Sequence, residues 1–313
     1  MRVGILEPKD FSKKAIKELN ELGIVELFDG KDLDGFIADK EIIFIRLGNF
    51  IGNDFLEKAK NLKYICTPTT GLNHIDLEAC KKRDIKIVSL KDEYEFLSTI
   101  RATPEHTFGL VLSLLRNYKE AFLSENNNKW DREKYKGFEL YENSVGIIGF
   151  GRVGKILAKY FESFGTNVCF YDIDDSICEF HSAIKVSSIE EVINQSNIVI
   201  LSASYTESNH QFFGRKYIDL LKNKYFINTA RGELVDEEYL ITKIEQNFFK
   251  GIAVDVIQNE QSNNSLEKIL ELTNTNNLIV TPHIAGATYS SMYRTEEFIV
   301  SKLSHKTIGG GFE

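Results

Sequence analysis

The stretch VGIIGFGRVG (Val145–Gly154) runs from an apolar segment into three glycines spaced GxGxxG: Gly149, Gly151 and Gly154. The spacing alone is weak evidence, because glycines often occupy tight turns for backbone reasons only. Here, however, a helical pattern follows the glycines, and the next apolar segment, NVCFYD, ends at Asp172, 18 residues after the third glycine. This order of strand, glycine turn, helix, strand and acidic residue predicts a dinucleotide-binding site.

Each of these residues has a physical part in such a site. The first glycine permits the turn, the second lets the backbone approach a pyrophosphate, and the third lets helix and strand pack closely. The phosphates would lie at the positive end of the helix. The Asp172 carboxylate would accept hydrogen bonds from a ribose diol and repel a 2′-phosphate, and the next three residues, Ile173–Asp175, contain no cation. The sequence therefore predicts NAD, rather than NADP, as the cofactor.

Short β-branched segments alternate with helical patterns in two series along the chain. The 313 residues are enough for two domains. We therefore predict an α/β fold with two Rossmann-like or flavodoxin-like domains, each a doubly wound parallel sheet. Between the series, TPEHTFGLVLSLLRNYKEAFLS is predicted to be one connecting helix, capped by Thr103. The predicted strands are RVGIL, GIVELF, EIIFI, KYIC and IKIV, then VGIIG, NVCFYD, NIVIL, KYFIN, GIAVDV and NLIVTP.

The composition is that of an ordinary globular protein, 42% hydrophobic and 27% charged, with a formal net charge of −8. The acidic balance and the lack of a basic run predict no nucleic-acid partner. No segment has the pattern of a signal peptide or the ~20 apolar residues that span a bilayer, so we expect no membrane partner and a cytoplasmic location. We expect neither a disulfide framework nor a metal, because the cysteines lack CxxC spacing and no cluster has metal-ligand spacing.

Polar residues follow three predicted strands of the second series. Arg231 follows KYFIN, Asp255 and Glu260 lie in and after GIAVDV, and His283 follows NLIVTP. Singly, each has an ordinary structural explanation, such as a surface ion pair, a capped turn or a packed imidazole. Together, at the carboxyl edge of one sheet where ligands bind, they suit a redox step on a carbonyl acid. Arginine holds a carboxylate through two hydrogen bonds, histidine exchanges a proton near neutral pH, and a glutamate keeps the imidazole protonated and oriented.

Four ordered motifs, VGIIGFGRVG, INTARGELVD, GIAVDVIQNE and VTPHIAGAT, resemble the D-isomer-specific 2-hydroxyacid dehydrogenases, most of all the phosphoglycerate dehydrogenase subgroup. The likeness extends to TTGLNHIDLEACKKRDIKIV and ATPEHTFGLVLSLLR in the first half. The resemblance implies that Arg231, Glu260 and His283 are catalytic. It implies substrate contacts at Arg46, Gly71 and Arg231, although an ordinary ion pair would explain Arg46 equally well. The cofactor contacts it implies, with the glycine motif, are Thr70, Gly149, Gly151, Arg152, Val153, Gly154, Asp172, Thr229, Ala230, Asp255, His283 and Gly286.

The same resemblance implies how the domains are assembled. The substrate domain comprises residues 1–100 plus 286–313, because the last helix, ATYSSMYRTEEFIVSKLS, returns to it, and residues 101–285 form the dinucleotide-binding domain. A cleft separates the two domains, and the protein is expected to be a homodimer without a C-terminal regulatory domain. His74 and His106 are weaker candidates for ligand contact.

Two departures from the family pattern affect the site. Gln261 follows Glu260 where the family usually has proline, so the local loop is expected to differ. LSASYTES (Leu201–Ser208) lacks the proline that is common after this strand in the family. The sequence therefore does not determine which residues form the wall of the adenine pocket.

The sequence thus predicts an NAD-dependent oxidoreductase that transfers a hydride to or from C2 of a small D-2-hydroxy or 2-keto acid. The substrate could be like 3-phosphoglycerate, or the protein could be a reductase of the hydroxypyruvate or glyoxylate type. A third possibility is an NAD-sensing protein without catalysis, similar to the C-terminal-binding corepressors of the same family.

Overall fold

The structure is a computed structural model that describes residues 1–124, 131–258, 260, 265–274 and 277–308. The chain forms two compact units. The first comprises Met1–Ile100 and Ala287–Glu313, and the second comprises Arg101–Gly286. Gln261 lies outside the described residues. Among those described, no helix is both long and apolar enough to cross a bilayer.

The first unit is built on a parallel sheet whose strands pair in the order β2-β1-β3-β4-β5, the order of flavodoxin-like folds. Helices in the crossovers bury their apolar faces on the sheet. The elements are β1 (Arg2–Ile5), α1 (Lys13–Leu22), β2 (Ile24–Leu27), α2 (Leu33–Ile37), β3 (Ile42–Phe44), α3 (Asn53–Lys58), β4 (Tyr64–Cys66), α4 (Leu77–Lys82), β5 (Lys86–Val88), α5 (Tyr94–Ser98) and, from the end of the chain, α13 (Tyr289–Ile308).

The helix predicted at the end of the chain is confirmed as α13, and it completes the core of the first unit. Ile299, Val300 and Leu303 are fully buried in one cluster with the residues of β1 and α1. The Thr288 hydroxyl accepts from the Ser291 amide and so caps the helix at its start. Burial of three aliphatic side chains contributes roughly 5 to 9 kcal/mol before entropy is subtracted. The last helix therefore belongs to the first unit for hydrophobic reasons.

The second unit is built on a sheet in the order β13-β12-β11-β10-β6-β7-β9-β8. Every pairing is parallel except that between β8 and β9. The elements are α6 (Ala102–Leu115), α7 (Tyr118–Ser124), β6 (Ser144–Ile148), α8 (Arg152–Ser163), β7 (Asn167–Tyr171), β8 (Glu179–Phe180), β9 (Ala183–Lys185), α9 (Ile189–Gln195), β10 (Ile198–Leu201), α10 (Arg215–Ile218), β11 (Tyr225–Asn228), α11 (Glu237–Glu245), β12 (Gly251–Val254), α12 (Leu266–Leu272) and β13 (Leu278–Val280).

The predicted fold class, two α/β domains each on a parallel sheet, is confirmed. In the second unit, chain order reverses between the neighbouring strands β6 and β10, which makes their carboxyl ends the switch point of the sheet, where ligands bind in such folds. The short strands β8 and β9 form a hairpin that the sequence did not predict, because neither contains an apolar run long enough to stand out.

The connecting helix differs from the prediction in two ways. It begins at Ala102, with Arg101 as N-cap, so the prediction that Thr103 caps it is wrong. Pro104 then lies in the first turn, where its missing amide leaves no hydrogen bond unmade. The helix also ends at Leu115, because Asn117 adopts a left-handed backbone (φ 51°), and a separate helix, α7, follows.

Candidate functional site

The glycine turn between β6 and α8 needs glycine for steric reasons at two positions. Gly149 has φ +88°, and a β-carbon there would lie 2.5 Å from the Ala203 backbone. A β-carbon on Gly154 would lie 2.6 Å from the carbonyl oxygen of Gly149. At Gly151, by contrast, a β-carbon would meet nothing within 4 Å. Gly149 and Gly154 therefore fix the turn, whereas Gly151 leaves open space beside it.

The residues at this edge of the sheet fit NAD. Gly151 is the N-cap of α8 and has no side chain to cap the start of the helix, and a helix N-terminus at this position is where phosphates bind in such folds. Ser202 directly follows β10, next to the Gly149 turn, and its hydroxyl is buried without a hydrogen-bond partner among the described residues. An unpaired buried hydroxyl beside open backbone is what a site for a hydrogen-bonding ligand presents when the ligand is absent.

Asp172 lies one residue beyond the end of β7, and its carboxylate is bound to the glycine turn. One oxygen accepts from the Phe150 amide (2.5 Å) and the other from the Asp174 amide (2.9 Å). A cation that the sequence reasoning missed also lies here. Lys185, from β9, donates to the Asp174 carbonyl and pairs with Asp175 at 3.0 Å. It comes from the neighbouring strand, so inspection of the residues adjacent to Asp172 could not find it.

The other predicted cofactor residues are distributed over both units. Arg152 and Val153 open α8, and burial lowers the pKa of Arg152, with the Arg101 charge acting in the same direction. Thr229 and Ala230 follow β11, where the Thr229 hydroxyl is 2.7 Å from that of Thr107. Gly286 ends the second unit and is exposed, whereas Thr70 and Gly71 follow β4 in the first unit.

The three predicted catalytic residues follow adjacent strands, β11, β12 and β13. His283 Nδ1 lies 2.8 Å from Glu260 Oε2, so the two side chains form a pair. His283 has a left-handed backbone (φ 52°), and its amide donates to the Asp255 carbonyl at 2.8 Å. The ring nitrogen that faces Glu260 is Nδ1, so Nε2 is the nitrogen directed away from this pair.

The Arg231 guanidinium interacts electrostatically with the Glu260 carboxylate of this pair. Burial lowers the pKa of its guanidinium, and the carboxylates of Glu233 and Glu260 act in the opposite direction. An arginine remains charged despite such a shift, because its ordinary pKa lies far above neutral pH. Its backbone is fixed by Asn228, whose side chain donates to the Arg231 carbonyl at 3.0 Å. The site therefore combines one half-buried permanent cation with a carboxylate–imidazole pair.

Asp255 organises the turn that carries His283. It is 2% exposed, and its carboxylate accepts from the Thr281 hydroxyl (2.6 Å) and from the amides of Ile284 and Ala285 (both 2.9 Å). His106, from α6, lies 3.1 Å from the Thr281 hydroxyl and 3.5 Å from Asp255. Burial by itself raises the pKa of Asp255, but these hydrogen bonds together bring it below its ordinary value. The sequence indicated a carboxylate here, but not that it would bind this turn.

Arg46 follows β3 by two residues, and its guanidinium is engaged within the first unit. Its Nε donates to Glu296 at 3.0 Å and its Nη1 to the Lys9 carbonyl at 2.9 Å. Glu296, on α13, is fully buried and also accepts from the Ser12 amide at 2.7 Å. Of the two explanations for Arg46, an ion pair is therefore present, and it is buried rather than at the surface.

No group of three or more histidine, cysteine or acidic side chains within the described part of the chain is arranged to hold a metal ion.

Comparison with known proteins identifies the class. Residues 108–285 match the NAD binding domain of the D-isomer specific 2-hydroxyacid dehydrogenases. The chain is 32% identical, over 98% of its length, to the D-3-phosphoglycerate dehydrogenase of Methanocaldococcus jannaschii, and spans 58% of that relative. It is 27% identical to the hydroxypyruvate reductase of Thermotoga maritima, over 96% of this chain and 97% of the relative.

Comparison with a solved structure supports the same family. The D-lactate dehydrogenase of Aquifex aeolicus, crystallised with NAD and lactic acid, superposes with a TM-score of 0.85 at 27% identity, covering 99% of this chain and 96% of the other. The chain belongs to the D-isomer-specific 2-hydroxyacid dehydrogenase family, and its second unit is the family's NAD-binding domain. The resemblance found in the motifs is thus confirmed.

The first prediction concerns Asp255. Because Asp255→Asn offers an amide group where the backbone amides need acceptors, we expect it to destabilise the second unit by about 2 kcal/mol at pH 7. The native pKa of Asp255 is below its unfolded value of about 3.9, so the carboxylate stabilises the fold above that pH and this stabilisation is lost as pH falls through the native pKa. Urea unfolding at several pH values should show the two proteins converging in acid. The exposed Asp131→Asn is the control. If the difference in free energy of unfolding between the unaltered protein and Asp255→Asn persisted unchanged at low pH, it would contradict this role of the Asp255 carboxylate.

Proposed function

We propose that the protein transfers a hydride between NAD(H) and C2 of a small D-2-hydroxy or 2-keto acid. The observation that carries the proposal is the His283–Glu260 pair, 2.8 Å apart, in the same sheet edge as Arg231 and the glycine turn. The supporting relatives bear the names of a phosphoglycerate dehydrogenase and a hydroxypyruvate reductase. The proposed cofactor contacts are Thr70, Gly149, Gly151, Arg152, Val153, Gly154, Asp172, Thr229, Ala230, Asp255, His283 and Gly286.

The side chains divide the chemistry between them. NADH, when bound, supplies the hydride. Arg231 would hold the substrate carboxylate through two parallel hydrogen bonds. His283 would give a proton from Nε2 to the carbonyl oxygen during reduction and take it back during oxidation. Glu260, on the other ring nitrogen, would stabilise the imidazolium and fix its orientation.

The environment of Arg46 favours a substrate without a distal phosphate. We keep Arg46 and Gly71 as proposed contacts for the substrate. However, the charge of Arg46 is already paired with the buried Glu296, and its remaining donors reach the Lys9 and Asp10 carbonyls. A phosphate dianion would have to compete with a carboxylate that cannot leave its buried position. This observation favours the hydroxypyruvate or glyoxylate type over the phosphoglycerate type.

The second prediction follows from the proposed roles of the side chains and from the pairing of Arg46 with Glu296. With NADH as reductant, the protein should reduce glyoxylate and hydroxypyruvate with a higher kcat/KM than phosphohydroxypyruvate. The measurement is the loss of NADH absorbance with a panel of 2-keto acids. A clear preference for phosphohydroxypyruvate would contradict the assignment of an unphosphorylated substrate.

The control for this panel is His283→Asn. Loss of the proton donor should lower kcat by ~10² or more while NADH still binds. Near-normal turnover in this variant would remove His283 from the mechanism. NADH binding without turnover of any acid by the unaltered protein would instead favour an NAD-sensing protein.

The third prediction concerns the choice of cofactor. The Asp172 carboxylate should make NADH preferred over NADPH, because it repels a 2′-phosphate. Asp172→Asn keeps an oxygen for the Phe150 amide and removes the charge, so we expect the ratio of kcat/KM for the two cofactors to shift toward NADPH by about tenfold or more, equivalent to ~1.4 kcal/mol. Lys185, which lies beside Asp174 and Asp175 after the same strand, should then favour NADPH by its positive charge. Equal use of both cofactors by the unaltered protein would contradict the role of Asp172.

We also propose that the protein is a homodimer. Large apolar side chains are exposed in the second unit, on α7 and in the segment before β6: Phe122 (69%), Leu123 (56%), Phe138 (52%) and Tyr141 (62%). Phe138 is held there by its amide, which donates to the Leu115 carbonyl at 2.8 Å. Exposed apolar side chains in such number favour a protein partner. Sedimentation equilibrium should give twice the mass of the 35.8 kDa chain, and Phe138→Asp should lower that mass. A monomer at micromolar concentration would contradict the proposal.

The state of the cysteines supports a cytoplasmic location, which we propose on that ground. Cys66, Cys80 and Cys169 are buried free thiols, and Cys178 is an exposed free thiol. Burial raises the pKa of Cys80 to about 11, so this thiol stays protonated and unreactive. Free thiols of this kind persist in the reducing cytosol.

A further inference from the structure

We propose that Glu237 is a positioning residue that holds the loop of Glu260 and so sets the Glu260–His283 pair. The inference rests on the proposed function for its kinetic consequences. Its structural basis is independent of any substrate, because every contact that carries it lies within the second unit.

Glu237 lies at the first position of α11 but directs its carboxylate away from that helix. It is 6% exposed, and its Oε2 accepts from the Gln258 amide at 2.7 Å. The Gln258 side chain in turn donates to the Val235 carbonyl at 2.6 Å. Two hydrogen bonds therefore attach the chain two residues before Glu260 to the start of α11.

The helix itself does not need this carboxylate. Asp236 is the N-cap of α11, and its side chain already accepts from the Tyr239 amide at 3.1 Å. An N-cap carboxylate satisfies the helix end and its dipole. The second carboxylate, Glu237, is buried at a cost that the cap does not explain, and its hydrogen bond goes to the loop that carries Glu260.

A close backbone contact joins the same loop to the turn after Arg231. A β-carbon on Gly232 would lie 2.1 Å from the carbonyl carbon of Ile257 and 2.5 Å from the Gln258 nitrogen. Only glycine allows the two segments to approach this closely. The turn after Arg231 and the segment Ile257–Gln258 thus form one packed junction, and Gln258 of this junction also donates to Glu237.

Repulsion between neighbouring carboxylates opposes the attachment of Glu237 to the Glu260 loop. Burial raises the pKa of Glu237, hydrogen bonds from Ser265 and Gln258 lower it, and the like charges of Glu233 and Glu260 raise it again. The charged groups around this junction are therefore three carboxylates and the Arg231 guanidinium. The Glu233 and Glu260 carboxylates repel that of Glu237, so the hydrogen bonds from Gln258 and Ser265 hold Glu237 in place against this repulsion.

A double-mutant cycle tests the proposal. If Glu237 acts through Glu260, Glu237→Ala should lower kcat by about tenfold with little change in the NADH dissociation constant, and should cause no further loss in a Glu260→Gln background. Glu237→Gln retains an acceptor oxygen and should recover most of the activity. The neighbouring exposed Glu238→Ala is the matched control and should behave like the unaltered protein. Losses that multiply in the double variant, or no loss in Glu237→Ala, would overturn the proposal.

A second measurement separates this inference from the proposed function. The nitrogen-15 resonances of the His283 ring report the Glu260 hydrogen bond whether or not any acid is turned over. They should change in Glu237→Ala and not in Glu238→Ala. If Glu237→Ala does not fold, Glu237→Asp keeps the charge but is one methylene too short to reach the Gln258 amide, and it should change the same resonances. Unchanged His283 resonances in a folded Glu237 variant would refute the positioning role, and a lack of turnover by the unaltered protein would refute only the proposed function.

Discussion

A carboxylate removed from water must have its oxygens satisfied, and the arrangement of the site follows from how Asp255 meets this requirement. Asp255 lies directly after β12, between β11 and β13, so the strand order places it beside the segment that leaves β13, which supplies three of its donors, while His106 of α6 lies 3.5 Å away. That segment must fold back to bring the amides of Ile284 and Ala285 onto the carboxylate. The fold-back needs one residue in the left-handed region, and His283 occupies it. The imidazole of His283 is thus oriented by backbone constraints that a neighbouring strand imposes.

The same arrangement recurs elsewhere in the molecule, where a buried carboxylate accepts hydrogen bonds from a distant segment and fixes its position. Glu237 holds the approach to Glu260, and Glu296 holds both the Ser12 amide and Arg46. Such buried charges contribute little net stability compared with apolar replacements, since desolvation offsets most of the attraction. Their value lies in specifying one geometry. Hydrogen bonds to a carboxylate are directional, whereas apolar packing tolerates many arrangements of similar energy.

The sequence predicted those features that depend on residues close together in the chain. The strands, the glycine turn and the ends where Arg231 and His283 emerge could be found because apolar runs and glycine spacing are local signals. Lys185 beside Asp175, His106 beside Asp255 and Glu237 beside Gln258 were not found, because the partners are brought together by the strand order or by a helix crossing the sheet. Likewise, the helix breaks at Asn117 because this one residue adopts a left-handed backbone. The hydrophobic periodicity of the surrounding segment remains helical, so it does not reveal the break. Contacts between residues far apart in the sequence can be predicted only when the strand order is known.

The return of α13 to the first unit has a consequence for biosynthesis. Ile299, Val300 and Leu303 complete the core around β1, yet the ribosome makes them only after the whole of Arg101–Gly286. At ribosomal rates this delay is roughly 10 to 40 s, long compared with the folding of a single domain. During this interval the nascent first unit exposes the apolar surface that α13 later covers, while the second unit already has all of its strands. The order of completion on the ribosome is therefore the reverse of the order along the chain.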